Sequence, residues 1–227
     1  MRLDKYVSKA LDISRSKADI LIKNKNIKVN NNIITISSYD IKDDEVSYLD
    51  KILIYEEYIY LMLNKPKGYV TSTKDQNKIV MDLIDEYKTR NLFPVGRLDI
   101  DTEGLLLITN DGVFSHKLTH PKNHIPKIYD VITDNMLNDE EILNIEKGLD
   151  LPNFKTLPAN IKVLNVNHYE ITIYAGQFHE LKKIFAHANI KVLALKRIKI
   201  GELELGDLPL ASYRKLTEEE INKLKNL

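Results

Sequence analysis

The stretch Gly96-Arg97-Leu98-Asp99-Ile100-Asp101-Thr102-Glu103-Gly104 decides how this chain is organised. It holds one arginine, three carboxylates and two glycines within nine residues. Apolar runs precede and follow it, at 92–95 and 105–108, and both are typical of buried strands. Charged side chains between buried strands cost free energy unless they are paired or serve a function. The sequence therefore predicts either a functional centre here or a surface turn that carries structural ion pairs.

The overall composition excludes several classes of protein. The chain has 227 residues, of which 43% are hydrophobic and 29% charged, as is ordinary for a globular protein. It has no cysteine, so disulfides, thiol catalysis and thiolate-bound metals are excluded, and a reducing cytoplasm is the expected location. It begins without the apolar core of a signal peptide and holds no run long enough for a membrane span, so no membrane partner is expected. Eight glycines without a phosphate-binding loop predict that no nucleotide cofactor is used.

The first thirty residues carry a basic excess, although the net charge of the whole chain is zero. They contain eight lysines and arginines against three aspartates. Helical spacing of apolar residues and an N-cap at Ser14 predict two short helices, followed by a hairpin that turns at Asn30-Asn31. The positive charge is either the solvent-exposed face of these helices or a surface for phosphate groups. An acidic stretch over 40–50 follows, and we place the domain boundary near residue 55, giving domains 1–55 and 56–227.

The second domain alternates between apolar runs of strand type and amphipathic segments of helix type. No internal repeat is present. This mixture predicts an α+β fold. Strands are predicted over 58–63, 92–95, 127–132, 168–175 and 192–201, and helices over 80–87, 113–119, 140–148, 181–188 and from a cap at Thr217 onwards.

Two histidine patterns resemble metal sites without fulfilling their requirements. The histidines over 116–124 recur every four residues, but Pro121 breaks the helix that would align them. His179-Glu180 resembles the start of a zinc-protease motif, but Lys183 stands where the second histidine is required. The sequence therefore predicts no metal site, and the histidines over 116–124 are interpreted as turn residues and as a rim for phosphate groups.

Without a thiol, a serine triad or a metal, the carboxylates of the opening stretch are the candidate reactive groups. A carboxylate can act as a nucleophile or as a general base. In a partly buried pocket it stays ionised when a cation lies next to it, and Arg97 and Lys182 are the candidates for that cation. On spacing alone, a cluster of structural ion pairs is the competing interpretation.

The motifs along the chain resemble those of the pseudouridine synthases, specifically the branch that modifies small-subunit ribosomal RNA and its large-subunit relatives. The opening stretch, continued through 105–112, resembles the central motif of that family. Three further segments resemble the other motifs in the family order: Asn64-Lys65-Pro66-Lys67-Gly68, Lys127-Ile128-Tyr129 and Gly176-Gln177-Phe178-His179-Glu180-Leu181-Lys182-Lys183-Ile184-Phe185.

The N-terminal region carries a second resemblance, to the small RNA-binding domain shared with ribosomal protein S-four. The segments that carry it are Arg2-Leu3-Asp4-Lys5-Tyr6-Val7, Ser14-Arg15-Ser16-Lys17-Ala18 and Ile27-Lys28-Val29-Asn30. The family usually has glycines near Lys25 and after Asn30, and asparagine also adopts the positive φ that such turns need. The resemblances together therefore cover essentially the whole chain.

The resemblance implies a small α/β RNA-binding domain followed by a catalytic domain with a mixed, largely antiparallel β-sheet flanked by helices. It implies an isomerase that converts uridine to pseudouridine without a cofactor. Asp99 is the expected catalytic residue, and Lys182 is expected to pair with it. Arg97 is expected to take the place of the flipped uridine in the base stack, since its guanidinium is planar. Tyr129 is expected to stack on the target base, and Leu195 to line the uracil pocket.

The expected partner is ribosomal RNA of the small subunit (16S), either free or in an assembling particle, bound by a monomer. Gln177 and Glu180 depart from the basic residue and the glutamine usual in their motif, and both lie near the expected RNA path. Large-subunit (23S) RNA is the alternative target, and a non-catalytic RNA-binding or ribosome-assembly protein and a carboxylate glycosidase are the alternative functions. The residues expected to contact RNA are Arg2, Lys5, Arg15, Lys17, Lys28, Lys65 and Lys67.

Overall fold

The N-terminal segment forms two helices whose ends follow local signals. In the computed structural model, which describes the whole backbone and every side chain except those of residues 85, 88 and 89, helix α1 spans Leu3–Ala10 and α2 spans Arg15–Lys23. The Ser14 hydroxyl caps α2 by accepting a hydrogen bond from the Lys17 N–H at 3.3 Å. These helices and the following strands share one apolar core, which belongs to a unit spanning Met1–Glu57.

The strands of this first unit form a small antiparallel sheet. They are β1 (Ile27–Val29), β2 (Asn32–Ile33), β3 (Val46–Tyr48) and β4 (Lys51–Ile52), in the order β2-β1-β3-β4. The hairpin between β1 and β2 turns at Asn30 and Asn31, whose φ angles are +48° and +64°. Lys25 also has a positive φ, of +63°. The asparagine turn that the sequence predicts is therefore confirmed, with left-handed residues where the family usually has glycine.

The second unit spans Tyr58–Leu227 and contains the large sheet. Its α-helices are α3 (Gly112–Thr119), α4 (Asp139–Lys147), α5 (Glu180–His187) and α6 (Glu218–Lys225), and short 3-10 helices lie at Val80–Leu83, Asp85–Arg90 and Pro121–Asn123. Its strands are β5 (Tyr60–Lys65), β6 (Phe93–Val95), β7 (Glu103–Thr109), β8 (Lys127–Thr133), β9 (Asp150–Leu151), β10 (Phe154–Lys155), β11 (Asn160–Asn165), β12 (His168–Ile173), β13 (Val192–Ile200), β14 (Leu203–Glu204) and β15 (Tyr213–Lys215).

The sheet is mixed and largely antiparallel, as the resemblance implies. Its main path runs β11-β12-β8-β13-β7-β5-β15, while β6 pairs with β7 and β14 with β13. Every pair along it is antiparallel except β13 with β7, where Arg197 lies opposite Gly104. This parallel pair places the end of the charged loop 96–102 directly beside β13, which is the arrangement on which the site depends.

Apolar cores cover both faces of the central strands. In β7, Leu106 and Ile108 belong to one core while Leu105 and Leu107 belong to the other. This explains why the run 105–108 is continuously apolar rather than alternating. Helix α5 packs on the first of these faces and α3 on the second.

One predicted helix has a different form. The sequence predicts a helix over 80–87, but the chain forms 3-10 helices at Val80–Leu83 and Asp85–Arg90. The N–H of Ile84 bonds the carbonyl of Met81, three residues back, as in a 3-10 turn. Ile84 has φ −128° and ψ 63°, outside the helical region, so the backbone there interrupts the helix. No helix in the described part of the chain has the length and apolar character needed to cross a bilayer.

Candidate active site

The charged loop between β6 and β7 is held in place by a buried lysine. Lys65 is the last residue of β5 and is completely buried. Its Nζ donates hydrogen bonds to the carbonyl oxygens of Asp99 at 3.0 Å and Thr102 at 2.9 Å. The expectation that Lys65 contacts RNA is therefore wrong. The strand runs to Lys65, further than the sequence predicts, so the exposed turn begins only after it.

Thr71, in the segment that follows β5, also holds this loop in place. The Thr71 hydroxyl donates to the Leu98 carbonyl at 2.6 Å and accepts from the Leu98 N–H at 3.2 Å. Both residues are buried. The backbone on each side of the Asp99 side chain is thus restrained by hydrogen bonds that do not involve its carboxylate, which leaves the carboxylate free for other partners.

The burial of Lys65 makes stability depend on pH. Burial lowers the pKa of Lys65 from 10.5 to about 8, although the charges of Asp101 and Asp99 act in the opposite direction. Between pH 8 and 10.5 the folded protein releases this proton while the unfolded chain keeps it, so the contribution of Lys65 to the free energy of unfolding rises with pH. We expect the wild type to gain stability relative to Lys65→Met across this range, measured by denaturant titration. A difference that stays constant with pH would contradict the assignment.

Asp99 lies in a cluster of charged side chains. Its Oδ2 is 3.1 Å from Lys182 Nζ, and its Oδ1 is 3.3 Å from His179 Nε2. Lys182 also contacts Asp101, with 2.5 Å between Nζ and Oδ1. Burial acts to lower the pKa of Lys182, but the hydrogen bonds and charges of the two aspartates outweigh it and raise that pKa. Lys182 therefore stays charged beside Asp99.

A pocket opens beside this cluster, between the charged loop and the paired strands β8 and β13. Tyr129 on β8 and Leu195 on β13 are both largely buried in it. Strand pairing brings them together, because Leu195 lies opposite Val131, two residues from Tyr129. Of the two candidate cations, Lys182 contacts Asp99, whereas Arg97 is exposed. The residues expected at the substrate all line this pocket: Arg97, Asp99, Tyr129, Lys182 and Leu195.

Further polar residues line the pocket although the sequence analysis gave them no role at the substrate: Lys127, His179, Glu180 and Arg197. His179 has a φ of +55°, and its ring stacks on Phe178 with 3.8 Å between centroids. The only sequence signal for His179 and Glu180 is their place in the motif over 176–185. Arg197 carries no motif signal, because its contacts come entirely from the pairing of distant strands.

Glu180 is buried rather than exposed along an RNA path. Its Oε2 accepts hydrogen bonds from the N–H groups of Gly176 and Gln177, both at 2.7 Å. Burial raises its pKa, while these hydrogen bonds and the charge of Lys127 oppose the shift. The Glu180 carboxylate thus holds the backbone of the loop that leads into α5. The side chain of Gln177 is exposed.

The histidines over 116–124 do not converge. Helix α3 ends at Thr119, and Pro121 starts a separate 3-10 segment. The rings of His116 and His120 are 4.9 Å apart between centroids and tilted by 54°. Among the described residues, no group of three or more histidine, cysteine, aspartate or glutamate side chains is arranged to hold a metal ion.

The basic residues expected to contact RNA fall into two groups. Arg2 and Arg15 both contact the largely buried carboxylate of Asp4, at 3.0 and 2.9 Å. The hydrogen bond from Arg2, with help from Arg15, lowers the pKa of Asp4 to about 2. Lys28 pairs with Asp50 at 2.6 Å. The other basic residues expected to contact RNA, apart from Lys65, are exposed: Lys5, Lys17 and Lys67.

Comparison with known proteins assigns both parts of the chain to families. Residues 59–187 match the RNA pseudouridylate synthase family, and residues 1–47 match the S4 domain. The chain is 39% identical to an uncharacterized RNA pseudouridine synthase of Aquifex aeolicus, covering 100% of this chain and 97% of that protein. It is 37% identical to the ribosomal small subunit pseudouridine synthase A of Escherichia coli, covering 97% and 98%.

A solved structure gives the same assignment. A crystal structure of a pseudouridylate synthase is 35% identical, with a TM-score of 0.71 and coverage of 99% of both chains. The agreement thus extends from the sequence to the fold. The chain belongs to the pseudouridine synthase family and is an RNA-modifying isomerase that carries an N-terminal S4 domain.

Proposed function

We propose that this protein converts one uridine of small-subunit ribosomal RNA to pseudouridine, with Asp99 as the catalytic residue. The observation that carries the proposal is the contact between Asp99 and Lys182 at the mouth of a pocket that contains Tyr129 and Leu195. The relatives named small subunit pseudouridine synthases support the choice of RNA.

The reaction needs a group that acts on the ribose of the target uridine. The bond between N1 and C1′ breaks, the base turns, and C5 bonds to C1′ while a proton leaves C5 and N1 gains one. Pseudouridine has the same atoms and the same number of electrons as uridine, so the reaction needs no oxidant, reductant or cofactor. The Asp99 carboxylate would begin this sequence either by attacking C1′ or by taking a proton from the sugar.

The other pocket residues would hold the reacting nucleotide. Tyr129 would stack on the flipped base, and Leu195 would cover its apolar face. Lys182 would keep a positive charge beside Asp99 throughout. Arg97, which is exposed at the pocket, would fill the gap that the flipped uridine leaves in the RNA stack.

The domain over 1–55 would bind the surrounding RNA through its basic residues, together with Lys67 of the second domain. Phosphate contacts by lysine release counterions and so make binding depend on salt. Among the candidates, Lys5 and Lys17 are exposed. Three further cations are each paired with a carboxylate that orients the side chain: Arg2, Arg15 and Lys28. They would bind phosphate while they keep this ion pair.

The double variant Lys5→Gln with Lys17→Gln tests this surface. We expect weaker binding of ribosomal RNA, and a slope of log K against log salt that is smaller in magnitude by up to about 2, since each lost phosphate contact removes about 0.9. The measurement is a filter-binding titration at several salt concentrations. Lys162→Gln, an exposed change on β11, is the control. Equal slopes for the wild type and the double variant would contradict the proposal.

We further propose that the enzyme acts as a monomer in the cytoplasm, on RNA that is being assembled into the small subunit. Mass measurement in solution checks the oligomeric state. Parallel assays on free 16S RNA and on partly assembled particles decide which of the two is modified faster.

Mapping pseudouridine in ribosomal RNA from cells with and without this protein tests the target. We expect one position in small-subunit RNA to lose its pseudouridine, and to regain it when the protein is restored. Loss of a position in large-subunit RNA would instead support the alternative target. Unchanged maps, together with retained RNA binding, would support a non-catalytic assembly role.

A further inference from the structure

A buried arginine lines the pocket, and its hydrogen-bonding capacity is not used up. Arg197 is 3% exposed and lines the pocket. Its Nε donates to the Leu105 carbonyl at 2.8 Å, whereas its Nη2 has no hydrogen-bond partner among the described residues. A buried N–H without a partner costs free energy, and an acceptor that reaches it inside the pocket would recover that cost.

A second cation lies near Arg197. Lys127 lines the same pocket, and within the described residues its Nζ donates to a single acceptor, the carbonyl of Ile125 at 3.0 Å. A charged ammonium has three N–H donors, so two are left for a ligand. Burial lowers the pKa of Lys127 to about 8, the charge of Arg197 adds to this effect, and Glu180 opposes it.

Strand geometry places these donors beside the aromatic ring of the pocket. Lys127 is two residues before Tyr129 on β8, so both side chains are on the same face of the sheet. Arg197 is directly opposite Tyr129 on β13, and opposed residues have Cβ atoms about 5 Å apart. A base stacked on Tyr129 would therefore have its edge within reach of both cations.

We propose that Arg197 and Lys127 donate hydrogen bonds to the C4 carbonyl oxygen of the flipped base and thereby select uracil over cytosine. This inference rests on the proposed function, and it names residues that discriminate between bases. Uracil has a carbonyl oxygen at C4, whereas cytosine has an amino group that donates hydrogen bonds. Arginine and charged lysine have no acceptor, so cytosine would leave buried N–H groups unpaired.

The burial of Arg197 favours a base edge over a phosphate as the ligand. A phosphate belongs to the RNA backbone, which continues on both sides of the flipped nucleotide and has to stay near the surface. The exposed cations at Arg97 and Lys67 are available to phosphate groups there. Arg197, in contrast, is 3% exposed and lines the pocket.

Titrations with UMP and CMP test the inference without depending on catalysis. We expect the wild type to bind UMP about tenfold more tightly than CMP, since a good hydrogen-bonded pair discriminates between bases by about 5- to 150-fold. Lys127→Met and Arg197→Met, which each remove the donor groups, are each expected to bring the ratio of the two dissociation constants close to one. The control Lys162→Met, which removes an exposed lysine from the same sheet, is expected to keep the wild-type ratio.

Each other outcome has a definite meaning. A wild-type ratio in both pocket variants would overturn the inference, as would equal binding of both nucleotides or binding of neither by the wild type. If the pocket variants lose UMP and CMP affinity equally, the two cations bind the phosphate group that both nucleotides share. That result would also overturn the inference. Thermal unfolding identifies any variant that fails to fold, and Lys127→Met leaves the bond from Arg197 to Leu105 intact.

Failure of this inference is distinguishable from failure of the proposed function. If Asp99→Asn still isomerises uridine, the catalytic assignment fails, while the nucleotide titrations still report on Arg197 and Lys127. If Asp99→Asn is inactive and the ratio of dissociation constants does not change in the pocket variants, only the base-selection inference fails.

Discussion

Replacing Asp99 by asparagine is expected to reduce pseudouridine formation by at least about 10³-fold while leaving the protein folded. Asparagine has nearly the same shape, but it has no charge and is neither a nucleophile nor a base of useful strength. The loop backbone is held by Lys65 and Thr71 and not by the Asp99 carboxylate, so the fold does not depend on it. Release of tritium from RNA labelled at C5 of uridine measures the rate, and thermal unfolding checks the fold.

Asp101→Asn is the matched control for this experiment. Asp101 belongs to the same loop and also contacts Lys182, at 2.5 Å, but its side chain is 62% exposed. Burial acts to raise the pKa of Asp101, and the hydrogen bond and charge of Lys182 outweigh it and keep that pKa low. We expect a loss of a few-fold, because Lys182 keeps Asp99 as its partner. A loss as large as that of Asp99→Asn would mean that the charge of the cluster, rather than the Asp99 carboxylate, drives the reaction.

Gly104→Ala is expected to have the largest effect on stability, about 3 kcal/mol or more. Gly104 has a φ of +103°, which side-chain-bearing residues rarely adopt. A Cβ atom there would lie 2.2 Å from the Arg197 carbonyl oxygen and 2.8 Å from its nitrogen. The parallel pair of β7 and β13 would have to separate, and the pocket would open with it. Chemical denaturation, or failure to obtain soluble protein, provides the measurement.

Gly68→Ala separates the two causes of that cost. Gly68 has a φ of +84°, but a Cβ atom there would meet no atom within 4 Å. This variant should therefore show the conformational strain alone, about 1–2 kcal/mol. Equal losses in the two variants would contradict the steric argument and would leave backbone strain as the whole effect.

Local signals predicted a large share of the fold. The cap at Ser14, the turn at Asn30-Asn31 and the apolar run 105–108 each act over a few residues, and the structure contains all three features. The segment 80–87 was predicted as one helix and forms 3-10 helices, because the backbone leaves the helical region at Ile84.

The sequence by itself determined the family, the mixed sheet and the importance of the charged stretch, because motif order and hydrophobic periodicity are properties of the chain. The position of its charged groups was decided by tertiary structure. Lys65 looks like a surface lysine in a turn, yet β5 carries it into the interior, where the carbonyls of the loop satisfy its charge. Arg197 is near the pocket because β13 pairs with β8, opposite Tyr129, and with β7, opposite Gly104. Burial and strand pairing join residues far apart in sequence. No local pattern therefore predicts that Lys182 contacts a carboxylate, or that Arg197 keeps an N–H group without a partner among the described residues.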